Sequence, residues 1–374
     1  MTRPRWRTSS PNRSSKPTLT NPTEYRHSFL EGHMTQSPVR FAILGFGNHA
    51  IRRLLPAFPK CDQSTLTGMW RRDHTAALAN CAEHKILHCF ATREELCSSP
   101  DVDVVFITSP DAMHRDDTLL ALKHGKAVLC EKPLAMNTAE AEQMNSAAKS
   151  AGLLFGVAQN FRYNRSLEWM RKQITAGRIG NPQLARAEYC YPATNSARKW
   201  ITDATLAYGG PIGDVGVHCI DALRFVLDED VISVTTLARK DASSGELEAI
   251  ASLQMEMTGE IFATVTTSAR APYRSYVEVN GSDGVIVAEG GLTVDQPVQV
   301  VVRRAGEILE TVTIDNADGY ARMLDGFASA LRGGEDFAAT GEDSVHNMRA
   351  LDAAIKSWKR EAANGCRRPI NSSR

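Results

Sequence analysis

The stretch Val39-Arg40-Phe41-Ala42-Ile43-Leu44-Gly45-Phe46-Gly47-Asn48-His49-Ala50 decides the fold. Its first six residues form a mainly apolar run of strand length, and a helical segment, Ile51–Phe58, follows the glycines. Gly45 allows the tight turn, Gly47 lets the backbone approach a phosphate, and Ala50 is small enough for helix and strand to pack. The order strand, glycine turn, helix predicts a dinucleotide site, an ordinary tight turn being the alternative. The residues assigned to this site are Gly45, Phe46, Gly47, Asn48 and His49.

Further β-α units follow this turn. Apolar strand runs at Leu66–Trp70, Asp103–Thr108 and Lys126–Lys132 alternate with helical patterns. Repeated β-α units connect by right-handed crossovers and therefore predict a doubly wound parallel sheet.

The second strand ends in Arg71-Arg72, with Asp73 only afterwards. A site that prefers NAD usually places an acidic residue at the end of this strand, where it bonds the ribose 2′-hydroxyl. Two guanidinium groups instead suit a 2′-phosphate, by charge and by bidentate geometry. Arg71 and Arg72 therefore favour NADP(H) over NAD(H), the alternative being a solvated arginine pair on a loop.

Two other strand ends carry candidates for the same site. Ser109-Pro110 follows one strand and leads to His114, and Glu131-Lys132-Pro133 follows the next. Ligands of open α/β sheets bind just outside the carboxyl ends of the strands, so both turns would lie over the cofactor. Charges at the end of a buried strand are costly unless they are paired or bind a ligand, which makes Lys132 a candidate for reaching a ligand. A solvent-exposed strand exit and a helix-capping role for His114 are the alternatives. The residues added to the cofactor site are Ser109, Pro110, His114, Glu131 and Lys132.

The segment Asp214–Leu227 is apolar around most of a helix, which indicates a buried helix. Asp214, His218 and Asp221 have the spacing i, i+4, i+7 and would share one narrow face. Asp214 would then orient His218, whose titration near neutrality suits proton transfer. A structural Asp–His pair and a divalent-metal site are the alternatives. No further metal ligand is evident, and we predict no metal.

The rest of the chain predicts a second architecture. Alternating apolar residues at 251–257 and short strands up to residue 314 indicate an antiparallel sheet, and Ser344–Trp358 has the pattern of an amphipathic helix. The predicted fold class is α/β, with an N-terminal doubly wound (Rossmann) parallel sheet followed by an α+β domain with an open, mostly antiparallel sheet. The predicted boundaries are a disordered basic leader at 1–38, a nucleotide-binding domain at 39–158, a substrate-binding domain at 159–360 and a frayed tail at 361–374.

Composition excludes several classes of protein. Of the 374 residues, 43% are hydrophobic and 23% are charged, and the formal net charge is +0. This balance does not point to nucleic acid or to a membrane as a partner, and no apolar run has the length of a transmembrane helix. The 8 cysteines form no C-x-x-C pair, which argues against a disulfide framework and predicts a reducing, cytoplasmic location. The leader is similar to a transit peptide in composition, or follows from an over-extended start, since Met34 lies just before the first strand.

Taken together, the motifs resemble the glucose–fructose oxidoreductase / inositol dehydrogenase / MocA (Gfo/Idh/MocA) family over roughly Val39 to Trp358. Besides the glycine turn, the motifs that carry the resemblance are Ser109-Pro110-Asp111…His114, Glu131-Lys132-Pro133, Asn160-Phe161-Arg162-Tyr163-Asn164, Gly177-Arg178-Ile179-Gly180 and Gly209-Gly210-Pro211-Ile212-Gly213-Asp214-Val215-Gly216-Val217-His218. Within the family, His218–Asp228 is most similar to the 1,5-anhydrofructose reductase branch.

The resemblance implies an NAD(P)-dependent oxidoreductase that transfers a hydride between nicotinamide and a carbinol or carbonyl carbon of a sugar, sugar derivative or cyclitol. Lys132 would hydrogen-bond the reacting oxygen, His218 would be the general acid/base, and Asp214 would orient it and bind hydroxyls. The open sheet face would join a homo-oligomer, a dimer or tetramer. A catalytically silent dinucleotide-binding regulator and a dihydrodiol-type dehydrogenase are the alternatives. The residues expected in the substrate pocket are Arg162, Tyr163, Lys199 and Trp200, although Tyr163 and Trp200 suit the core or an interface equally well.

Overall fold

The structure is a computed structural model that describes residues 37–193 and 198–363, with only the backbone described at 199, 362 and 363. The leader expected at 1–38 and the tail expected at 361–374 therefore lie almost wholly outside the described residues. Within the described ranges, no helix is both long enough and apolar enough to cross a bilayer.

Six parallel strands form the first sheet. They are β1 Val39–Leu44, β2 Ser64–Trp70, β3 His88–Cys89, β4 Val104–Ile107, β5 Ala127–Cys130 and β6 Phe155–Val157. The main helices between them are α1 His74–His84, α2 Arg93–Ser98, α3 His114–Lys123 and α4 Thr138–Ala151. The strand order is β3-β2-β1-β4-β5-β6, so the direction of winding reverses between β1 and β4. Open α/β sheets bind ligands at this position, and the doubly wound sheet predicted from the sequence is confirmed.

The segment after the glycine turn is not the regular helix expected at Ile51–Phe58. A wide π-type turn spans Ala50–Leu54, and the Leu55 N–H donates to the Ala50 carbonyl oxygen at 2.9 Å. Pro56 follows directly and has no N–H to continue an α-helical ladder, so the helix ends there.

Eight strands form the second sheet. They are β7 Pro182–Cys190, β8 Val231–Arg239, β9 Ile250–Met257, β10 Ile261–Ser268, β11 Arg274–Gly281, β12 Val285–Glu289, β13 Pro297–Arg304 and β14 Glu307–Asp315. Their order is β14-β13-β12-β11-β7-β10-β9-β8, and every neighbouring pair is antiparallel except β7 with β10. Helices α5 Arg165–Thr175 and α6 Val217–Leu227 pack on the sheet. The mostly antiparallel sheet is therefore also confirmed.

A helix that the sequence analysis did not assign crosses back to the first sheet. The last two helices are α7 Gly319–Leu331 and α8 Gly341–Ala363. Phe327 of α7 packs on Phe41 of β1 with ring centroids 6.1 Å apart, and on Phe337 at 5.1 Å. All three rings are buried, so a late segment of the chain covers one face of the first sheet. The final helix is longer than the predicted Ser344–Trp358.

Candidate active site

The carboxyl ends of β4 and β5 and the segment before α6 enclose a small cavity, which we call the Lys132 cavity. Its volume is about 60 Å³, and its lining includes Ser109, Glu131, Lys132, Trp200 and Asp214. Residues predicted for the cofactor and for the substrate are thus neighbours in the fold, and His49 and His114 complete a set of seven. The side chain of Lys199, which was expected beside Trp200, lies outside the described residues.

Lys132 is held by the main chain of a distant segment. Its Nζ donates to the carbonyl oxygen of Asp214 at 2.9 Å and lies 3.6 Å from Oδ1 of the same residue. The side chain is mostly buried, with 14% of its surface exposed, so its direction is fixed. A lysine ammonium has three N–H donors, and one that is not directed at Asp214 is available to a ligand in the cavity.

The Asp214 carboxylate is bound by two groups that the sequence analysis missed. Arg198 donates to Oδ1 and to Oδ2 at 2.9 Å each, and the Tyr191 hydroxyl donates to Oδ2. Burial would raise the pKa of Asp214, but Arg198 and Lys132 outweigh it and hold the pKa well below its usual range. Asp214 is therefore an ionised, paired carboxylate. Tertiary structure alone brings Arg198 to it, and the only hint in the sequence is the basic and aromatic content around Tyr191.

His218 is oriented by aromatic packing and not, as expected, by Asp214. Its ring is edge-on to Phe161 with centroids 4.7 Å apart, and it lies 6.3 Å from the Tyr189 ring. Burial, and after it the charge of Lys132, holds the pKa of His218 well below the ordinary 6.5. The imidazole is therefore neutral. Its buried Nδ1 has no hydrogen-bond partner in the described part of the chain.

Asp221 pairs with other residues and does not share one face with Asp214 and His218, contrary to the prediction from the sequence. A π-type turn at Ile212–Gly216 precedes α6, so the α-helical spacing assumed from Asp214 onward does not hold. Asp221 accepts from Arg162 Nη2 at 2.6 Å and from Asn347 Nδ2 at 2.7 Å. A divalent-metal site would need Asp214, His218 and Asp221 together as ligands. Among the described residues, no group of three or more His, Cys, Asp or Glu side chains could hold a metal ion.

Arg162 and Tyr163 pack in the protein interior, which corrects their expected place in the substrate pocket. Arg162 is 7% exposed and donates to Asp221 and to the Ala338 carbonyl oxygen at 2.6 Å. A buried guanidinium is stable only when it is paired, and these partners satisfy it away from the Lys132 cavity. Tyr163 stacks on Phe337 with centroids 5.8 Å apart.

The glycine turn has the shape that a dinucleotide needs. Gly45 has a φ of +99°, and a Cβ there would lie 2.5 Å from the Ser109 backbone nitrogen. A Cβ at Gly47 would meet only the Gly45 oxygen, at 3.7 Å, so the backbone there is open to a ligand. Asn48 is exposed, whereas the Phe46 side chain is buried in the core and leaves only its backbone for a ligand. The turn therefore fits the pyrophosphate of a dinucleotide.

Polar contacts also fix the turns on either side of the Lys132 cavity. His49 Nε2 lies 2.9 Å from Glu131 Oε1. Burial would raise the pKa of Glu131, but His49 and Lys132 outweigh it and lower the pKa, so the carboxyl group is ionised. Ser109 Oγ donates to Asp117 Oδ2 at 2.7 Å, so the hydroxyl of Ser109 already has an acceptor in the protein.

The carboxyl end of β2 presents the two predicted cations. Arg71 donates to Asn80 Oδ1 at 2.8 Å, and Arg72 is exposed. Asp73 caps α1, because its Oδ1 accepts from the Ala76 N–H at 3.0 Å. The strand end therefore combines two guanidinium groups with a carboxylate that is already used as a helix cap.

His114 joins the two turns and also lines the Lys132 cavity, so its contact with a cofactor stays a prediction. It is fully buried, with Nδ1 2.9 Å from the Pro133 carbonyl oxygen and Nε2 2.9 Å from that of Ser109. A carbonyl oxygen only accepts, so both ring nitrogens must carry a proton and the ring is an imidazolium. Burial would lower the pKa of His114, but Cys130, Asp111 and the Ser109 carbonyl outweigh it and raise the pKa to about 10.

Replacing His114 with glutamine should lower the free energy of unfolding by about 3 kcal/mol near neutral pH, because a buried charged donor is lost. The pKa of His114 is raised from 6.5 to about 10 on folding, so its stabilisation is complete below pH 6.5 and is lost as the pH rises toward 10. The difference in the free energy of unfolding between wild type and His114→Gln should therefore shrink as the pH rises from 6.5 to 10. Urea unfolding at a series of pH values measures it.

The control for this experiment is His124→Gln, at the exposed position just after α3, which should show no such pH dependence. The charged groups facing His114 include Asp111, Asp117 and Lys132. Burial raises the pKa of Asp111 to about 6, so Asp111 titrates below the range measured. A difference that stays constant between pH 6.5 and pH 10 would show that the His114 ring is neutral.

Comparisons with known proteins agree with this geometry. An oxidoreductase family with an NAD-binding Rossmann fold matches residues 39–159, and the GFO/IDH/MocA C-terminal domain matches residues 167–287. A 1,5-anhydro-D-fructose reductase from Ensifer adhaerens is 32% identical over 270 residues, which cover 71% of this chain and 80% of that protein. The scyllo-inositol 2-dehydrogenase (NADP(+)) IolU from Bacillus subtilis is 31% identical over 283 residues, 74% of this chain and 83% of that protein. The solved aldose-aldose oxidoreductase from Caulobacter crescentus shares the fold, with a TM-score of 0.79 at 22% identity over 86% of this chain and 98% of that one.

The parallel sheet, the glycine turn and these matches define an NAD(P)-dependent oxidoreductase. The order of the sequence motifs had pointed to the same class. The chain belongs to the Gfo/Idh/MocA oxidoreductase family.

Proposed function

We propose that this chain is an NADP(H)-dependent oxidoreductase that acts on a carbinol or carbonyl carbon of a sugar, sugar derivative or cyclitol. The observation that carries the proposal is the fixed Lys132 ammonium, which follows a parallel strand, helps to lower the pKa of His218 and shares its cavity with His49 of the glycine turn. Relatives named for sugars and a cyclitol favour this substrate class over a dihydrodiol. In this proposal, residues 39–158 bind the nucleotide and residues 159–360 bind the substrate.

Lys132 and His218 act on the oxygen of the reacting carbon. When bound, the nicotinamide cofactor supplies or accepts the hydride. Lys132 Nζ hydrogen-bonds the reacting oxygen and stabilises the negative charge that develops on it. The neutral His218 imidazole accepts a proton from the substrate hydroxyl in the oxidative direction and returns it in the reductive one. Asp214, anchored by Arg198, keeps the ammonium directed into the cavity.

Arg71→Ala and Arg72→Ala should each raise the KM for NADP⁺ by about 10- to 100-fold, because each removes a charged hydrogen-bond donor for the 2′-phosphate. The KM for NAD⁺ should change little. Steady-state kinetics with both nucleotides measures the ratio, and Arg303→Ala, at an exposed position on the second sheet, is the control. A wild-type enzyme that prefers NAD⁺ would overturn the assignment of the arginine pair.

The substrate class is tested by following nicotinamide absorbance over a panel of sugars, cyclitols and keto sugars, including 1,5-anhydrofructose. Turnover of polyhydroxylated compounds with NADP(H) is the expected result. Tight nucleotide binding without turnover of any compound would instead favour the catalytically silent regulator. Turnover restricted to aromatic dihydrodiols would move the substrate class to the other alternative.

The outer face of the second sheet supports the proposal of a homo-oligomer. Leu184, Phe262 and Leu237 are 54%, 64% and 72% exposed, and they lie on one face of three strands. Leu184 of β7 is directly opposite Phe262 of β10. Exposed large apolar side chains on an open sheet face are typical of an interface between protein subunits.

Phe262→Asp should convert the oligomer to a smaller species, because it places a charge beside the exposed Leu184. Sedimentation velocity measures the change in mass. Leu87→Asp is the matched control, since Leu87 is 75% exposed and lies near the edge of the first sheet. An unchanged mass for Phe262→Asp would place the interface elsewhere.

We also propose a cytoplasmic location. Seven cysteines fall within the described residues, and all seven are free thiols. Free thiols are typical of a reducing compartment. Cell fractionation tests this proposal directly.

A further inference from the structure

A second cavity, larger than the Lys132 cavity, opens beside it. Its volume is about 280 Å³, against about 60 Å³ for the Lys132 cavity. Arg198 and Ile201 line both, so the two spaces adjoin. We call the larger one the side cavity, and its wall includes Tyr191, Thr202, Ser243, Leu247, Glu248 and Arg270. No step of the proposed mechanism uses it.

The Lys132 cavity is too small to enclose a whole sugar molecule. A space of 60 Å³ holds a few water molecules, whereas small-molecule sites in proteins commonly have about 300 Å³ or more. The reacting carbon and its hydroxyl group can enter beside Lys132 while the rest of a free ring stays at the mouth of the cavity, and a substituent on that ring would extend past Arg198. The side cavity is the adjoining space in that direction.

Glu248 is a buried carboxyl group in the wall of the side cavity. The residue is 1% exposed, and its Oε1 accepts from the Ile212 N–H at 2.8 Å. Its Oε2 makes no hydrogen bond of ordinary geometry with the described residues, although the backbone N–H groups of Gly210 and of Glu248 itself also approach the carboxyl group. Burial raises the pKa of Glu248 above its ordinary value. A buried oxygen without a well-aligned partner is unfavourable, and the hydroxyl group of a ligand would satisfy it.

Glycines give Glu248 its position. A Cβ at Gly210 would overlap the carbonyl oxygen of Glu248, so only glycine allows the two backbones to approach as they do. A Cβ at Gly209 would lie 3.6 Å from Glu248 Oε1. The segment before α6 therefore shapes both cavities: it supplies Asp214 to one and makes room for Glu248 beside the other.

The charges around the side cavity are already balanced. Arg198 is paired with Asp214, and Arg270 Nη2 donates to Asp241 Oδ1 at 2.9 Å. Both guanidinium groups in this wall thus face a carboxylate, so the described part of the cavity is poorly suited to a phosphate or a carboxylate ligand. Ile201 and Leu247 add apolar surface. An apolar wall with a buried acceptor suits a neutral sugar ring, which has C–H faces and hydroxyl edges.

We propose that the side cavity is a subsite for a neutral glycosyl substituent, so that the enzyme acts on a glycoside or disaccharide in preference to a single free ring. Glu248 Oε2 accepts a hydrogen bond from a hydroxyl group of that substituent. This inference rests on the proposed oxidoreductase function, because it concerns the substrate of the same site.

Kinetics on matched pairs, such as glucose with cellobiose, maltose or phenyl glucoside, test the subsite. The wild-type kcat/KM should be about tenfold or more higher for the substituted compound. Thr202→Trp, which fills the cavity from an exposed position, should lower that value about tenfold and leave the free sugar within about twofold. Glu248→Gln keeps an acceptor for the Ile212 N–H and should lower only the value for the substituted compound, by several-fold. Ala204→Trp is the control, at an exposed position outside the wall.

Calorimetric titration of the same sugars into the NADP⁺-loaded Lys132→Met variant measures binding without turnover. The subsite is supported if disaccharide binds more tightly than glucose and if this difference is lost when Thr202→Trp is added. If that result is obtained but the wild-type enzyme turns over no sugar, only the proposed function fails. Equal kcat/KM within each pair, or equal losses for both members in Thr202→Trp, overturns the subsite and leaves the function intact. A preference for sugar phosphates overturns it as well. Absence of both binding and turnover overturns both.

Discussion

Replacing Lys132 with methionine is expected to lower kcat/KM by about 10²- to 10³-fold, the usual effect of removing one donor to a developing oxyanion. Methionine keeps the apolar stem of lysine but has no N–H to donate. The surroundings should persist, because Asp214 retains its bonds with Arg198 and Tyr191. Nicotinamide absorbance with the preferred substrate gives the rate, and nucleotide fluorescence reports cofactor binding, which should remain.

Lys149→Met is the matched control for this substitution. Lys149 is an exposed lysine of α4 whose side chain is 57% exposed and forms a surface ion pair with Glu342. Its replacement should leave kcat/KM unchanged, since exposed ion pairs contribute little. Full activity in Lys132→Met would show that the reacting oxygen binds elsewhere and that the assigned site is wrong.

The second large effect is expected for His218→Asn, with kcat/KM lowered by about 10²- to 10⁴-fold, the range typical of a lost general acid or base. Asparagine keeps a polar group at the buried position but does not exchange protons near neutral pH. The exposed His124→Asn is the control and should retain full activity. An His218→Asn enzyme with wild-type kinetics would assign proton transfer to another group.

The pH profile separates a catalytic from a structural role of His218. The pKa of His218 is held well below 6.5 by burial and by Lys132, so the neutral, proton-accepting form persists through neutral pH. For substrate oxidation, the acid limb of kcat/KM that belongs to His218 should therefore lie below pH 6.5 in the wild type. That limb should be absent from the residual activity of His218→Asn. A limb that persists unchanged in the variant would belong to a different residue.

Features set by short stretches of sequence could be predicted. The apolar run of β1 and the positive φ required at Gly45 are local properties, and they identify the strand, the turn and the switch point of the sheet. The place of Lys132 follows from the same kind of reasoning, because it comes just after the buried strand β5, with Glu131 between them. His218 was found because its helix is apolar on nearly every other side.

Features that depend on contacts between distant segments could not be predicted. The sequence shows that Asp214 and Arg162 are charged, but it does not show that their partners are Arg198 and Asp221. The charge of the His114 ring depends on two carbonyl oxygens in separate turns, which no pattern of side chains records. Helical spacing also failed before α6, because a π-type turn changes which residues share a face.

The position of α7 has a consequence for the synthesis of this protein. Phe41 belongs to the first strand of the described residues, but Phe327, one of the rings that pack on it, is translated much later. Many nascent domains fold as soon as they emerge, N-terminal part first. Part of one apolar face of the first sheet therefore stays uncovered until α7 has been translated, and we expect nascent chains that stop short of this helix to be clients of chaperones.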